Sequence, residues 1–417
     1  MTQPDNAMTA PPDPTDPTAP DVDAPDVDAA AHSERLCALI RQEIAAAGGA
    51  LPFDRFMELA LYAPGLGYYA AGSAKLGPAG DFATAPELSP LFGRCLATQA
   101  GEVLAALGGG DILELGAGSG ALAAEVLSAL AAAGQPPQRY WILEPSPDFA
   151  ERQRQQLAER VPDLLDRVAW VHQPPAALRG LVLANEVVDA LPVQRFCVPP
   201  GAAPAAVRDA VREILVGCDG DGFAEIQAAP ATPGLADAID DLGLPAATLA
   251  GGLCGEINLR LPPWLALLAE RLDAGMVLII DYGYPRGELY LPQRRDGTLL
   301  CHHRHRAHAD PYVHIGLQDI TAHVDFTAVA AAGSAAGLAL AGYTTQANFL
   351  IGCGLDRHLH AAAGDPEALL DLAAGAKQLV LPAAMGERFQ ALALTRALAS
   401  PAGGWCGFAQ RDLGARL

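Results

Sequence analysis

The run Leu113-Glu-Leu-Gly-Ala-Gly-Ser-Gly-Ala-Leu122 sets three glycines, Gly116, Gly118 and Gly120, between an apolar stretch and an alanine-rich one. Glycine has no Cβ, so the chain can turn tightly there and let a ligand lie against backbone. A helix that starts at such a turn offers unpaired N–H groups to a polar or anionic ligand. Two cofactor classes use this arrangement. Gly116, Gly118 and Ala121 satisfy the G-x-G-x-x-A dinucleotide pattern, and the same glycines satisfy the G-x-G-x-G turn of S-adenosylmethionine methyltransferases. Glu144 closes the next apolar run, Tyr140-Trp-Ile-Leu, where either class would set an acid against ribose hydroxyls. The spacing alone leaves both classes open, and a tight turn without a ligand remains the plain alternative.

A second cluster is Ala184-Asn-Glu-Val-Val-Asp-Ala-Leu-Pro192. It puts Asn185 and Glu186 at the end of an apolar run, with Asp189 close behind. Polar residues at the carboxyl end of a buried strand face the crevice of a doubly wound sheet. The alternative is that Asn185 and Asp189 only cap a following helix. Asp281-Tyr-Gly283 follows a further apolar run; Asp281 would either border the substrate pocket or cap the following turn. Cys301, His302, His303, His305, His308 and His314 crowd one segment, but their spacing matches no closed zinc set, so a loop lining an entrance is expected and no metal.

Several elements must position these residues. Short apolar runs at 111–115, 140–144, 168–171, 181–184 and 276–280 alternate with helical stretches, which indicates βα units and a parallel sheet covered on both faces. Runs at 345–351 and 389–395 would add an antiparallel pair, for seven strands. Helical spacing at Leu36, Leu39, Ile40 and Ile44, then at Phe53, Phe56, Met57, Leu59 and Ala60, predicts two N-terminal helices. A third is expected over 91–107. A loop anchored by Tyr68, Tyr69 and Phe82 and carrying Asp81, Thr84 and Glu87 lies before it, placed to fold over a ligand. Residues 1–33 hold seven aspartates, seven prolines and no Lys or Arg, the pattern of a disordered tail. The expected organisation is therefore a tail at 1–33, helices and a lid-like loop at 34–107, and a sheet domain at 108–417 with inserts at about 193–275 and 285–325.

Composition excludes other classes. The chain of 417 residues is 51% hydrophobic and 18% charged, a core-forming balance. Its formal net charge of −21 opposes a surface that tracks nucleic-acid phosphates. The start has neither the apolar core of a signal peptide nor the arginines of a transit peptide, which predicts a cytoplasmic protein. The eight cysteines form no CxxC pair, and reduced thiols are expected. Residues 326–355 carry no charge, yet small residues dominate them, so a buried helix and strand are expected there and no membrane insertion.

Longer segments resemble the MidA family of class I methyltransferases. They are Phe53-Asp-Arg-Phe-Met-Glu-Leu-Ala-Leu-Tyr-Ala-Pro-Gly-Leu-Gly-Tyr-Tyr69, Gly80-Asp-Phe-Ala-Thr-Ala-Pro-Glu-Leu-Ser-Pro-Leu-Phe-Gly93, the glycine run, residues 185–193, Asp281-Tyr-Gly283 and Leu317-Gln-Asp-Ile-Thr-Ala-His-Val-Asp-Phe326. The resemblance spans roughly residues 50–395. It implies a Rossmann-like α/β fold, S-adenosyl-L-methionine as cofactor, and protein arginine N-methylation, since the family includes a mitochondrial complex I assembly factor that methylates an arginine of a core subunit. It implies cofactor contacts at Thr84, Pro86, Glu114, Gly116, Ala117, Gly118, Gly120, Glu144 and Asn185. His305, His308 and His323 fall where the family pattern has them. Residue chemistry adds the acceptor side: a guanidinium is a planar cation that carboxylates bind bidentately, so Glu186 and Asp189 are the expected catalytic pair. A small-molecule methyltransferase and a non-catalytic assembly factor that binds the same cofactor are alternatives. A short-chain dehydrogenase is disfavoured, because neither Lys75 nor Lys377 has a tyrosine four residues before it.

Overall fold

A computed structural model describes residues 27–71, 84–201, 207–361 and 364–417. Most of the expected tail, and Lys75, Asp81 and Phe82 of the expected lid-like loop, lie outside the described residues. The first helix, α1 (Val27–Ala46), starts earlier than the sequence suggested, so residues 27–33 are helical and not tail. It buries Leu36, Ile40 and Ile44 on one face.

The main strands of the central sheet are, in chain order, β1 (Asp111–Leu115), β2 (Tyr140–Leu143), β3 (Val168–Val171), β4 (Leu178–Asn185), β5 (Leu272–Tyr284), β6 (Ala339–Thr345) and β7 (Phe389–Arg396). Their spatial order is β6-β7-β5-β4-β1-β2-β3. β1 to β5 run parallel to one another, and β7 is antiparallel to both β5 and β6. The two-residue strand Val324–Asp325 pairs with the end of β5, so among the described residues the sheet has eight strands where seven were expected.

Alternation along each strand divides two cores. Ile112, Leu181, Leu183, Met276 and Leu278 point to the face covered by α3 (Pro90–Leu107) and α4 (Ala121–Ala132). Leu113, Leu115, Val182, Val277 and Ile279 point to the face covered by helices Leu261–Arg271 and Phe326–Ala335. Burial on both faces explains why these strands read as nearly continuous apolar runs. The expected strand at 345–351 is an error of type. The strand ends at Thr345, whose hydroxyl accepts the N–H of Asn348 at 3.4 Å and caps a helix, Gln346–Gly352. A short apolar run does not tell strand from buried helix; the cap does. Pro366–Gly386 has the length and hydropathy of a membrane span. Its helix, however, ends at Val380 ahead of Pro382, and Leu372, Ala376 and Leu379 share a core with Leu91 and Phe92.

The inserts build two further sheets. Strands Gln194–Val198, Arg212–Asp219, Gly222–Ala228 and Leu253–Ile257 join Leu51–Pro52 in an antiparallel sheet. Strands Leu300–His303, Arg306–His308 and Asp319–Thr321 form a second one. α1 and α2 (Phe53–Tyr62) pack on these inserts, through Val193, Val216, Cys301 and Ile320, and not on the central sheet. The expectation of eight reduced thiols fails at one pair. Cys197 and Cys254 stand opposite each other on adjacent antiparallel strands, close enough to form a disulfide. The other six cysteines are free.

Candidate active site

The chain leaves β1, builds β2 and β3 on one side, then returns to β4 on the other. A crevice opens where the direction reverses. Register sets Leu115 beside both Leu143 and Ala184, so the residues after these three strand positions share one rim. They are Gly116, Glu144 and Asn185. A cavity of about 1200 Å³ lies above this rim. That exceeds what one drug-sized ligand fills, so a cofactor and a second molecule fit side by side.

The glycine turn forms one wall. Gly116 and Gly118 adopt φ of +62° and +55°, values that L side chains rarely take. Both line the cavity with Ala117 and Ser119. Gly120, the third glycine of the turn, is not among the residues that line it. Its φ of +89° starts α4, and a Cβ there would sit 3.5 Å from the backbone of Gln153. The positive φ is what calls for glycine at this position, since the approach to Gln153 is an ordinary contact.

Glu144 is buried, and burial raises its pKa. Its Oε1 accepts the N–H of Ser146 at 2.9 Å and its Oε2 accepts Nε2 of Gln153 at 2.9 Å. Gln153 also donates to the carbonyl of Gly118 at 2.9 Å and accepts from Nε1 of Trp170 at 2.9 Å. One fully buried amide thus ties the glycine turn to the acid of the next strand. Glu114, on β1, lines the cavity and accepts the Tyr140 hydroxyl at 2.7 Å; burial pushes it up to about 7.

Beside the glycine turn, on the neighbouring strand, stand the acids after β4. Glu186 has φ +52°, a strained value for a residue with a side chain. Its N–H donates to the carbonyl of Ile280 at 2.9 Å. The next three amides, of Val187, Val188 and Asp189, all donate to Oδ2 of Asp281, at 3.2, 3.0 and 3.2 Å. Asp281 is fully buried. It caps a turn, but that turn follows β4, where the expectation had the turn after its own strand. Glu186, Asp189 and Asn185 line the cavity. Burial, reinforced by the charge of Asp189, pushes Glu186 up to about 8. Burial also raises Asp189, against a hydrogen bond from Tyr282. Asp189 Oδ1 and Asn185 Oδ1 are buried acceptors without a hydrogen-bond partner among the described residues.

Thr84 and Pro86 line the cavity as well. Ala85 hydrogen-bonds Glu186 through its backbone, and Glu87 accepts the Ser119 hydroxyl. The turn Ala85–Leu88 therefore bridges the two walls. The histidine-rich segment forms a hairpin with Arg304 and His305 at φ +48° and +62°, the two positive values of a tight hairpin turn. His303 stacks on His314 at 4.3 Å, and its Nδ1 lies 2.8 Å from the carbonyl of Leu317. Among the described residues, no group of three or more His, Cys, Asp or Glu is placed to hold a metal ion.

Reasoning from motifs missed Gln153, Tyr62, Tyr69, Tyr282, Asp319 and His323. All but Gln153 line the cavity. Gln153 sits in a helix, Pro147–Arg160, that also carries Gln155 and Gln156, and composition does not separate them. The others, Tyr282 among them, fall inside the segments that carry the family resemblance, but no spacing rule marked them.

A glycine cradle, a buried acid tied to it, and Asn185 Oδ1 on the same rim fit a nucleoside ligand that also carries an amino group. Residues 95–344 match the model of a family described as S-adenosyl-L-methionine-dependent methyltransferases. The chain belongs to that family. A solved Burkholderia thailandensis protein, described as a likely methyl transferase and bound to S-adenosyl-homocysteine, is 39% identical, covers 94% of this chain and 99% of its own, and superposes with a TM-score of 0.87. This methyltransferase is also similar to curated relatives named protein arginine methyltransferase NDUFAF7, mitochondrial. The Danio rerio protein is 28% identical over 82% of this chain and 83% of its own. That of Mus musculus is 29% identical over 83% and 81%. These mitochondrial names overturn the expectation of a cytoplasmic protein, which rested on the acidic start of the chain.

Proposed function

We propose that this methyltransferase methylates an arginine nitrogen of a protein, and that a respiratory-complex subunit carries the arginine. The carrying observation is Asp189. Its Oδ1 is a buried acceptor without a partner among the described residues, in a cavity that also holds Glu186 and Asp319. Buried carboxylates without a cation are costly, and a guanidinium would supply both the charge and the donors. The curated relatives, named as protein arginine methyltransferases, support the same reading.

Bound S-adenosylmethionine supplies an electrophilic methyl group. Gly116, Ala117 and Gly118 would admit it against backbone, Glu144 would accept from its ribose hydroxyls, and Asn185 would accept from its amino group. Thr84, Pro86 and Glu114 would close the same side. Glu186 and Asp189 would grip the guanidinium by its N–H groups, concentrate positive charge at the gripped nitrogens and leave the third one nucleophilic. One of them then receives the proton that the acceptor nitrogen loses. Glu186, held near 8, is poised to exchange a proton close to neutral pH. The test is mass spectrometry of respiratory-complex subunits from cells with and without the gene, with restoration by wild type and by Glu186→Gln. One arginine should lose its methyl mark without the gene and regain it only with the wild-type chain. An unchanged arginine-methylation map would refute the proposal.

A further inference from the structure

The acids after β4 form only one side of the acceptor end. The opposite side comes from outside the central sheet. Tyr62 ends α2, and Tyr69 follows in a turn held to that helix by a hydrogen bond from its own N–H to the carbonyl of Leu61 at 2.8 Å. The two rings stack, with centroids 5.6 Å apart and planes 20° from parallel. Asp319 opens the strand Asp319–Thr321 of the second insert and is 3% exposed. The N–H of Ala322 donates to the carbonyl of Asp189 at 3.0 Å, which fixes the insert against the turn that carries Glu186 and Asp189. Tyr62, Tyr69 and Asp319 line the same cavity as those two acids.

The hydrogen bonding is one-sided. The Tyr62 hydroxyl donates to the carbonyl of Ala190 at 2.9 Å, and the Tyr69 hydroxyl donates to Oδ1 of Asp319 at 2.9 Å. Both phenol protons are committed to protein acceptors. Beside His302, His323 and Arg388, which line the same cavity, this end offers a ligand a ring face, carboxylates and Asp189 Oδ1, which has no hydrogen-bond partner among the described residues. Such a surface accepts hydrogen bonds and attracts cations. A planar cation with several N–H donors can stack on a tyrosine while its edges reach carboxylates on two sides. A lysine ammonium has neither the plane nor the fork.

We infer that Tyr62, Tyr69 and Asp319 form the recognition wall for the acceptor guanidinium, with Tyr62 under its face, Asp319 at the edge away from Glu186, and Tyr69 orienting Asp319. The inference rests on the arginine reading above and adds to it the elements that select the acceptor. The central sheet would then hold the cofactor, while α2 and the second insert would choose the side chain.

Calorimetry on the full chain saturated with S-adenosyl-homocysteine tests this, with Nα-acetyl-arginine methylamide and its lysine counterpart as probes. The wild type should bind the arginine probe about tenfold or more tightly than the lysine probe. Asp319→Asn and Tyr62→Ala should each weaken the arginine probe by about tenfold with unchanged affinity for S-adenosyl-homocysteine, and Tyr62→Phe should stay within about twofold of wild type. Wild-type affinity in both Asp319→Asn and Tyr62→Ala would overturn the recognition wall while leaving the arginine reading in place. So would a matching loss of S-adenosyl-homocysteine affinity, which would mark a structural role. A wild type that does not prefer the arginine probe would overturn the arginine reading, and the wall with it.

Discussion

Asp281 holds the backbone of Asp189: the N–H of Asp189 lies 3.2 Å from Oδ2 of Asp281, which also takes the N–H groups of Val187 and Val188. One buried acid, on β5, thereby shapes the turn that presents two others. The arrangement places like charges together. Burial, and then the charges of Asp189 and Glu186, raise the pKa of Asp281, while its backbone donors favour its charged form.

Asp281→Asn should loosen this turn. The amide keeps one acceptor oxygen but puts an NH₂ group where amides now converge. Leaving buried N–H groups unpaired costs about 1–3 kcal/mol, so the melting temperature should fall. Methyl transfer should fall further than S-adenosyl-homocysteine binding, since the turn carries Glu186 and not the glycine cradle. Equal losses in both would show that Asp281 supports the whole site.

The pH dependence of stability reports on Glu186. Its folded pKa, about 8, exceeds the ordinary glutamate value of 4.5 expected in the unfolded chain. Between these values the folded state keeps a proton that the unfolded state has released, so stability falls as pH rises across that window. Each pH unit crossed inside the window costs about 1.4 kcal/mol at most. Glu186→Gln removes the titration. Denaturant unfolding should show the variant matching wild type near pH 4 and gaining on it up to about pH 8. Parallel curves across this range would refute the assignment.

The same proton should appear on binding. A guanidinium favours ionised Glu186, so an arginine ligand should release a proton at neutral pH, where the free enzyme is mostly protonated at this site. Calorimetry in buffers of different ionisation enthalpy measures that number directly. Affinity for the arginine probe should rise as pH is raised from mildly acidic to just above the folded pKa of Glu186. A flat profile would mean that Glu186 does not face the ligand.

Gln153→Leu should weaken S-adenosyl-homocysteine binding. The change removes the donor to Glu144 Oε2 and to the Gly118 carbonyl while nearly preserving volume. A loss of about 1.4 kcal/mol is tenfold in affinity, and at least this much is expected by calorimetry. Binding of the arginine probe to the variant, once it is saturated with S-adenosyl-homocysteine, should change little, because the acceptor end lies across the cavity.

Gly116→Ala separates backbone from ligand effects. A Cβ there would meet Val187 Cγ2 at 3.8 Å, an ordinary contact, so the protein itself has room. The positive φ costs a residue with a side chain about 1–2 kcal/mol. Cofactor affinity should fall by more than this, because the added methyl enters the cavity. An affinity loss no larger than the stability loss would place the ligand away from Gly116.

The parallel core, the glycine turn and the acids at the strand ends were all legible in the order of residues. These features are local: an apolar run buried on both faces, a turn that needs positive φ, and a polar residue just after a strand each leave a mark within a few positions. The same local reading erred at 345–351, where a short apolar run fits strand or helix until Thr345 is seen to cap. Whatever depends on distance along the chain came only from the packing of elements. Packing put Gly120 against Gln153, and gave Asp281 to a turn 92 residues earlier. It paired Cys197 with Cys254 across 57 residues. It brought Tyr69 and Asp319, 250 residues apart, into one hydrogen bond. Such contacts follow from which elements pack together, and side-chain spacing along the chain carries no record of them.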